Sequence, residues 1–449
     1  MTMHADVAVI GSGFSAVALS LNLLDLMPAS AQVSLVGPEA GLGRGIAYST
    51  RNEALLLNVP AGRMGLFADR PDHFVAWLKE NDFRAGPDDF VPRRVYGDYI
   101  ADCLQAARRR TGNRPALTVV DTVALGAEAA QDGGLLFHLS NGERLSSPVA
   151  ALCTGAGTRR LPLETVPDAV RPFVVDDPWA DAWWERLPME GDVLLVGTGL
   201  TMVDQCLVLA ERGFKGRIHA VSRHGLLPQA HLDRRADPVP AMLAPDGGEV
   251  SQMLFALRRA AGDVPDWRAV MDGLRPVTQV LWKAWSPERR ARFLRHASAY
   301  WNVHRHRMAP AVAKRIAALR DGGRLIVHRG RLGALRLEGA GLAADIVGRE
   351  KTSVAAAMVV NCTGFDRCTV EASPLLSSLA AQGVLCADPR GLGILVDEGS
   401  AVPSGADRPR LYALGPLTAG RHFEITAVPD IRQQALSVAR AISAAVACG

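Results

Sequence analysis

The feature that most constrains this chain is a motif that occurs twice. Near the start, Val7-Ala8-Val9-Ile10-Gly11-Ser12-Gly13-Phe14-Ser15-Ala16 sets four apolar residues before two glycines and a small residue. The second copy is Val193-Leu194-Leu195-Val196-Gly197-Thr198-Gly199-Leu200-Thr201-Met202-Val203-Asp204. Each apolar run reads as a strand buried in a parallel sheet. In the first copy Gly11 supplies a tight turn, Gly13 lets the backbone lie against a pyrophosphate, and Ala16 allows a close helix contact. A phosphate there sits on the N-terminus of the following helix, where unpaired N–H groups and the helix dipole favour an anion. Two such units predict two dinucleotides and an α/β fold of two Rossmann-like domains.

A second repetition orders them. Val149-Ala150-Ala151-Leu152-Cys153-Thr154-Gly155 is an apolar strand stopping at Thr-Gly, and Met358-Val359-Val360-Asn361-Cys362-Thr363-Gly364 repeats it. The second GxG unit lies between these strand ends, so the second nucleotide domain reads as inserted into the first. The expected boundaries are 1–175 and 356–449 for one domain and 190–355 for the other, with a helical insert over about 250–318. Within the insert Trp267, Val270, Met271 and Leu274 recur at helical spacing. Residues 116–150 read as short strands turning at Asn141-Gly142.

Composition excludes several classes. Hydrophobic residues at 48% and charged residues at 21% fit a globular chain, and 449 residues suffice for two or three cores. A net charge of +4 on this length does not point to nucleic acid or a membrane. The seven cysteines, Cys103, Cys153, Cys206, Cys362, Cys368, Cys386 and Cys448, are odd in number and never spaced C-x-x-C, which argues against a disulfide framework or a redox dithiol. The N-terminus lacks the regions of a signal peptide, and no apolar run reaches about 18 residues, so a cytoplasmic location is expected.

The candidate contacts follow from position. A Rossmann unit places an acidic residue about 20 residues after the glycines to hold ribose hydroxyls, and here Gly37-Pro38-Glu39 makes Glu39 the candidate. The loop Gly41-Leu42-Gly43-Arg44-Gly45 lets backbone approach a cofactor and offers Arg44 to a phosphate, or is a plain surface turn. Leu55 to Gly65 suits a segment under a flat ring system, with Asn58 and Arg63 as polar handles. In the second unit Gly197, Gly199, Leu200 and Thr201 form the turn, and the strand Ile218-His219-Ala220-Val221 ends at Ser222-Arg223-His224. A cation where NAD-specific folds put a carboxylate suits the 2′-phosphate of NADP, and the alternative is a solvated arginine. Residues 283–315 are strongly basic, which reads as a solvated helix face or, around His304-Arg305-His306-Arg307, as a holder of NADPH phosphate or an acidic substrate.

With these residues in place the chain resembles the two-dinucleotide flavoproteins (glutathione-reductase-like) and, more closely, a bacterial FAD/NAD(P)-binding protein family. The residues that carry this are Gly11 to Ala16, Gly43 to Tyr48, Leu57 to Ala61, Val95-Tyr96-Gly97-Asp98-Tyr99, Val196 to Thr201, Ser222 to Pro228, Asn361 to Gly364 and Ala427 to Arg432. Flavin-dependent N-hydroxylating and Baeyer–Villiger monooxygenases are related families. The resemblance implies FAD in the first site, with Thr154, Gly155, Gly415 and Pro416 beside it. It implies NAD(P)H in the second, with Thr363 and Gly364 among the cofactor contacts, and Arg223 makes NADPH rather than NADH the expected form. It also implies a helix start at 426–430 that aims its dipole at a reduced flavin. Two departures stand out. The F-x-G-x-x-x-H-x-x-x-W fingerprint of Baeyer–Villiger enzymes is missing, and Gly415 is followed by Pro416 where many flavoproteins carry an acid.

The implied activity is an FAD-dependent NAD(P)H oxidoreductase, a monooxygenase hydroxylating a small substrate, at nitrogen, through a flavin C4a-hydroperoxide and molecular oxygen. Arg63, His422 and Glu424 are the candidates for the substrate side. The alternatives are a reductase passing electrons to a quinone, an organic acceptor or a partner protein, and a non-catalytic flavin-binding redox sensor. Neither nucleic acid nor a membrane is an expected partner, and no metal site is expected.

Overall fold

The computed structural model describes all residues except 111–114, 131–132, 158–159, 181–182, 234–235, 241–242, 244–247, 365–368, 404–409 and 448–449. The four apolar runs singled out above become strands with every residue buried: Val7–Ile10, Val149–Leu152, Val193–Val196 and Met358–Asn361. Strands without a solvent face belong at the centre of a parallel sheet covered on both sides, and that is where they lie.

The first unit comprises residues 1–51, 59–157 and 367–449. Its five-stranded sheet runs in the order Arg410–Ala413, Val149–Leu152, Val7–Ile10, Gln32–Val36, Ala116–Val120, all parallel. Helix Phe14–Leu26 follows the first strand and packs against Val428–Ala447 and Arg93–Arg109. A second sheet, built from Ala124–Ala129, Leu135–Leu139 and Arg144–Ser147 with Thr2–His4 at its edge, turns an apolar face to the first. Leu135, Phe137 and Leu145 meet Ile10, Val36 and Leu152 in one core, and such burial of apolar area is the main term holding a fold together.

The second unit, residues 52–58 and 158–366, repeats the scheme. Its sheet order is Leu325–Arg329, Ile218–Ser222, Val193–Val196, Met358–Asn361, Val174–Val175, again all parallel. Here too a three-stranded antiparallel sheet, Arg331–Glu338, Gly341–Val347 and Lys351–Ala356, packs on it, joining Leu332, Leu342 and Ile346 to Leu194, Val221 and Val359. The fifth strand differs in origin. In the first unit it comes from the chain after the insertion, in the second from the inserted segment ahead of its GxG strand.

Strand pairing divides the chain at other positions than those expected. Met358–Asn361 pairs with Val193–Val196, so the return to the first unit comes at 367 rather than 356. Val174–Val175 pairs with Met358–Asn361, so the departure comes at 158 rather than 175. Residues 52–58 cluster with the second unit as well.

The helical insert spans Val250–Gly262, Trp267–Gly273, Thr278–Ala284, Pro287–His296, Ser298–Arg305 and Pro310–Asp321. Its basic run is tied up inside it. Arg307, buried, pairs with Asp272, whose carboxylate also takes Arg275 at 3.0 Å. Arg289 and Arg292 share Glu249 at 3.3 and 3.1 Å, and Arg290 donates to the carbonyls of Trp282 and Lys283. His304 sits edge-on over Trp267 with Nδ1 2.8 Å from the Tyr300 carbonyl. No helix among the described residues is long and apolar enough to cross a membrane. The five described cysteines are free thiols, and Cys368 and Cys448 lie outside the described residues. Burial pushes the thiols of Cys153, Cys206 and Cys362 up, which makes them poor nucleophiles.

Candidate nucleotide sites

In the first unit the turn after Val7–Ile10 is shaped by the strand beside it. Gly11 adopts φ +135°, and a Cβ there would stand 2.4 Å from the Cys153 carbonyl oxygen, so only glycine fits. Around Gly13 the nearest atom to a built Cβ is Gly45 Cα at 3.8 Å, and around Gly155, at φ +70°, nothing lies within 4 Å. Helix Phe14–Leu26 starts there without a side-chain cap, leaving its first-turn N–H groups for an outside acceptor. The glycine-rich loop folds back on this turn: Gly43 N donates to Ser12 O at 2.7 Å, and a Cβ on Gly45 would lie 3.2 Å from Gly13 Cα. From the other side Gly415, at φ +67°, brings the turn ending in Pro416 against Ser15, whose Oγ would be 2.6 Å from an added Cβ.

The second unit reproduces this cradle nearly atom for atom. Gly197 has φ +112° and a Cβ there would stand 2.3 Å from the Cys362 carbonyl oxygen, while Gly199 and Gly364 face open space. Helix Leu200–Glu211 also begins without a side-chain cap, so Leu200 and Thr201 present bare N–H groups. Thr363 donates through N and Oγ1 to Asn361 Oδ1 at 3.2 and 2.7 Å, which fixes the strand end. Ser222 carries the loop after the second strand: its Oγ is 2.8 Å from Thr198 Oγ1 and accepts from Gly225 N at 3.1 Å. Arg223 is exposed and has no ion-pair partner among the described residues.

Other candidates stand elsewhere than their motifs suggested. Arg44 is spent on Asp98 at 2.7 Å, a carboxylate it shares with Arg94 at 2.9 Å, and packs over Gly97. Glu39 accepts from Arg108 at 2.9 Å on an exposed surface, while its N–H donates to Asp121 at 2.8 Å. Asn58 clusters with the second unit and its carbonyl faces His231 Nε2 at 3.1 Å. The carbonyls of Arg63 and Gly65 take Arg432 Nη1 at 3.3 and 2.8 Å. His422 is buried with Nε2 3.1 Å from Ser400 Oγ, and Glu424 holds a left-handed backbone at φ +62°.

Sequence reasoning assigned no role to four residues. Gln434 accepts from Gly415 N at 2.8 Å and donates to Ser400 and Thr418 at 3.0 and 2.9 Å, bracing the final turn where an acidic residue was missed. Tyr96, next to Phe14 with ring centroids 6.3 Å apart, is fully buried and its hydroxyl lacks a hydrogen-bond partner among the described residues. Burial holds its phenol far above the usual range, so it stays a neutral O–H donor. Arg432 carries a half-buried guanidinium in the opening turns of Val428–Ala447. Arg329 ends the strand beside Arg223. Tyr96 and Arg432 lay inside stretches that carry the resemblance, whereas nothing near Gln434 or Arg329 signalled them in sequence.

The open Cα faces at 13, 155, 199 and 364, the uncapped helices and the orphan Tyr96 hydroxyl leave room and hydrogen-bond donors for an outside ligand. Residues 8–157 match the family described as FAD-NAD(P)-binding. No curated protein matches the sequence. Among solved structures, an ornithine N-hydroxylase of Kutzneria sp. 744 is 15% identical with a TM-score of 0.67, over 98% of this chain and 99% of that one. L-lysine 6-monooxygenase from Pseudomonas syringae is 17% identical with a TM-score of 0.69, over 98% and 100%. A cadaverine monooxygenase from Erwinia amylovora, bound to FAD, is 13% identical with a TM-score of 0.64, over 98% and 94%. The chain thus carries an FAD-NAD(P)-binding domain within the fold of the two-dinucleotide-binding flavoproteins.

Proposed function

We propose that the protein is an FAD-dependent, NADPH-oxidising monooxygenase that hydroxylates a small amine at nitrogen. The observation that carries this reading is the doubled cradle, with one glycine of each GxG pressed on a Cys-Thr strand end and the other open for a pyrophosphate. FAD, which the turn at Gly11 and Gly13 would hold, would supply the redox chemistry between NADPH and molecular oxygen.

The chain's own residues bind and orient. Helices Phe14–Leu26 and Leu200–Glu211 direct N-terminal N–H groups at pyrophosphates. Arg432 and the N-terminus of Val428–Ala447 raise the positive potential where negative charge develops, and Tyr96 adds an O–H donor. Arg223 holds the 2′-phosphate. Arg63 and Glu424 belong to the substrate side, while His422 acts through Ser400 and Gln434 on the turn at Gly415. The amine class is supported by the full-length likeness to enzymes whose substrates are ornithine, lysine and cadaverine.

The test is an anaerobic absorbance titration of the purified protein, first with NADPH and then NADH, followed by aerobic NADPH oxidation with ornithine, lysine and cadaverine. A flavin that bleaches faster with NADPH, and an amine that yields hydroxylated product in step with NADPH consumed and little peroxide, support the reading. No flavin spectrum after adding FAD overturns it. Fast quinone reduction without oxygen and without any hydroxylated amine replaces the monooxygenase with a reductase.

A further inference from the structure

The second cradle has a cationic rim that the reading above uses only in part. Strands Ile218–Ser222 and Leu325–Arg329 are parallel with Ser222 opposite Arg329, so Arg223 follows one residue beyond the position Arg329 faces, both stand at the C-terminal edge of the sheet, and both guanidiniums act on His224. That edge is where open α/β sheets bind ligands.

We propose that Arg329 is the second arm of a two-arginine clamp, with Arg223 the first, for the 2′-phosphate of NADP(H), a proposal that rests on the NADPH reading of this unit. The two strand ends are laced together and to the GxG turn. Gly330 N donates to Ser222 O at 3.0 Å, and Thr198 Oγ1, between the two glycines of the turn, is 2.8 Å from Ser222 Oγ and 2.5 Å from Leu226 O. The loop then wraps the stem of Arg329: Gly225 has φ +61°, and a Cβ there would be 3.3 Å from Arg329 Cβ. Phosphate cradle and arginine pair therefore share one scaffold.

Charge balance points the same way. Several other arginines of the unit find carboxylates, Arg289 and Arg292 on Glu249 and Arg336 on Asp345. Arg223 and Arg329 are both exposed and neither has an ion-pair partner among the described residues. Between them His224 titrates below its ordinary range, because of partial burial and then the two guanidiniums, so it adds no third charge at neutral pH. Two unpaired, neighbouring forks suit a phosphate monoester carrying a charge of about −1.5 to −2 and three acceptor oxygens, which each guanidinium grips with two parallel N–H bonds. NADH offers hydroxyls there and gains nothing from the pair.

The experiment is isothermal calorimetry of the FAD-loaded protein with adenosine 2′,5′-bisphosphate and with 5′-AMP, on wild type, Arg223→Ala, Arg329→Ala, Arg329→Lys and, as a control, Arg292→Ala. Loss of a charge-assisted bond predicts that Arg223→Ala and Arg329→Ala each weaken the bisphosphate about 10- to 100-fold. The 5′-AMP affinity stays within about twofold, Arg329→Lys recovers part of the loss, and Arg292→Ala has no effect. If Arg329→Ala keeps wild-type affinity for the bisphosphate, or weakens both ligands equally, the clamp is wrong while Arg223 and the NADPH reading stand. If wild type does not distinguish the two ligands, the NADPH reading itself fails.

Discussion

The two glycines of the second turn offer a discriminating pair of substitutions, Gly197→Ala and Gly199→Ala. At Gly197 the backbone has φ +112°, and the new methyl would stand 2.3 Å from the Cys362 carbonyl oxygen and 2.7 Å from its carbon. A residue held in a sparsely populated region costs about 1–3 kcal/mol, and forcing a methyl into packed surroundings costs about 1–3 kcal/mol more. Relief requires prying Met358–Asn361 from Val193–Val196 at the centre of the sheet. The expected loss is about 2–6 kcal/mol, and a unit of 150–250 residues shifts about 2–4 °C per kcal/mol, so its thermal transition falls by roughly 5–20 °C. Gly199 is the opposite case. Its φ of −83° suits any residue and nothing lies within 4 Å of a Cβ, so Gly199→Ala leaves the transition within about 1 kcal/mol of wild type. What it removes is room for a pyrophosphate, and NADPH affinity drops. Calorimetric scans of both variants, with and without NADPH, decide the matter. A Gly197→Ala protein melting with wild type, or a Gly199→Ala protein that binds NADPH normally, refutes the account of the cradle.

Three further outcomes are expected. Gln434→Leu strips the acceptor from Gly415 N, while Ser400 keeps His422 and Thr418 keeps the Gly415 carbonyl, and one buried group left unsatisfied predicts a loss of about 1–3 kcal/mol in a urea melt, together with weaker flavin retention; unchanged stability sinks the bracing role. Tyr96→Phe removes a buried hydroxyl that has no partner among the described residues, so the flavin-free protein gains stability or stays level while FAD binds less tightly. A variant with unaltered FAD affinity takes Tyr96 out of the site. His231 is pushed down to about 3, first by burial and then by Arg307, although it lies 3.1 Å from the Asn58 carbonyl. The unfolded chain therefore binds the extra proton between about pH 6.5 and 3, and stability falls as pH falls through that window by up to about 1.4 kcal/mol per unit. Urea midpoints at pH 7, 6 and 5 should converge for His231→Gln, and an equally steep wild-type-like slope in the variant would remove His231 as the cause.

The two candidate sites were legible wherever the chemistry is local. An apolar run, a glycine needed for a positive φ and a bare helix N-terminus all occur within a dozen residues, so both GxG turns and both Cys-Thr-Gly strand ends could be read directly. Even the reason for Gly11 and Gly197 was half visible, since the strand ends that crowd them were recognisable as a repeated pair. The phosphate role expected of Arg44 was another matter. A glycine-rich loop with an arginine looks the same whether its partner is a phosphate or a carboxylate, and the partner found, Asp98, sits on a helix far along the chain.

Sequence by itself determined that there would be two nucleotide units of parallel sheet, because strands with no polar face have nowhere to go but the middle of such a sheet. Tertiary structure alone decided which unit owns each strand and which side chains share a rim. Val149–Leu152 and Met358–Asn361 have equivalent sequences, and only hydrogen-bonded register assigns one to Val7–Ile10 and the other to Val193–Val196. Strand register likewise sets Arg329 opposite Ser222, next to Arg223 in the chain, across more than a helical insert of sequence. Pairing between distant strands is set by the summed burial of a whole core, which no short window of sequence contains.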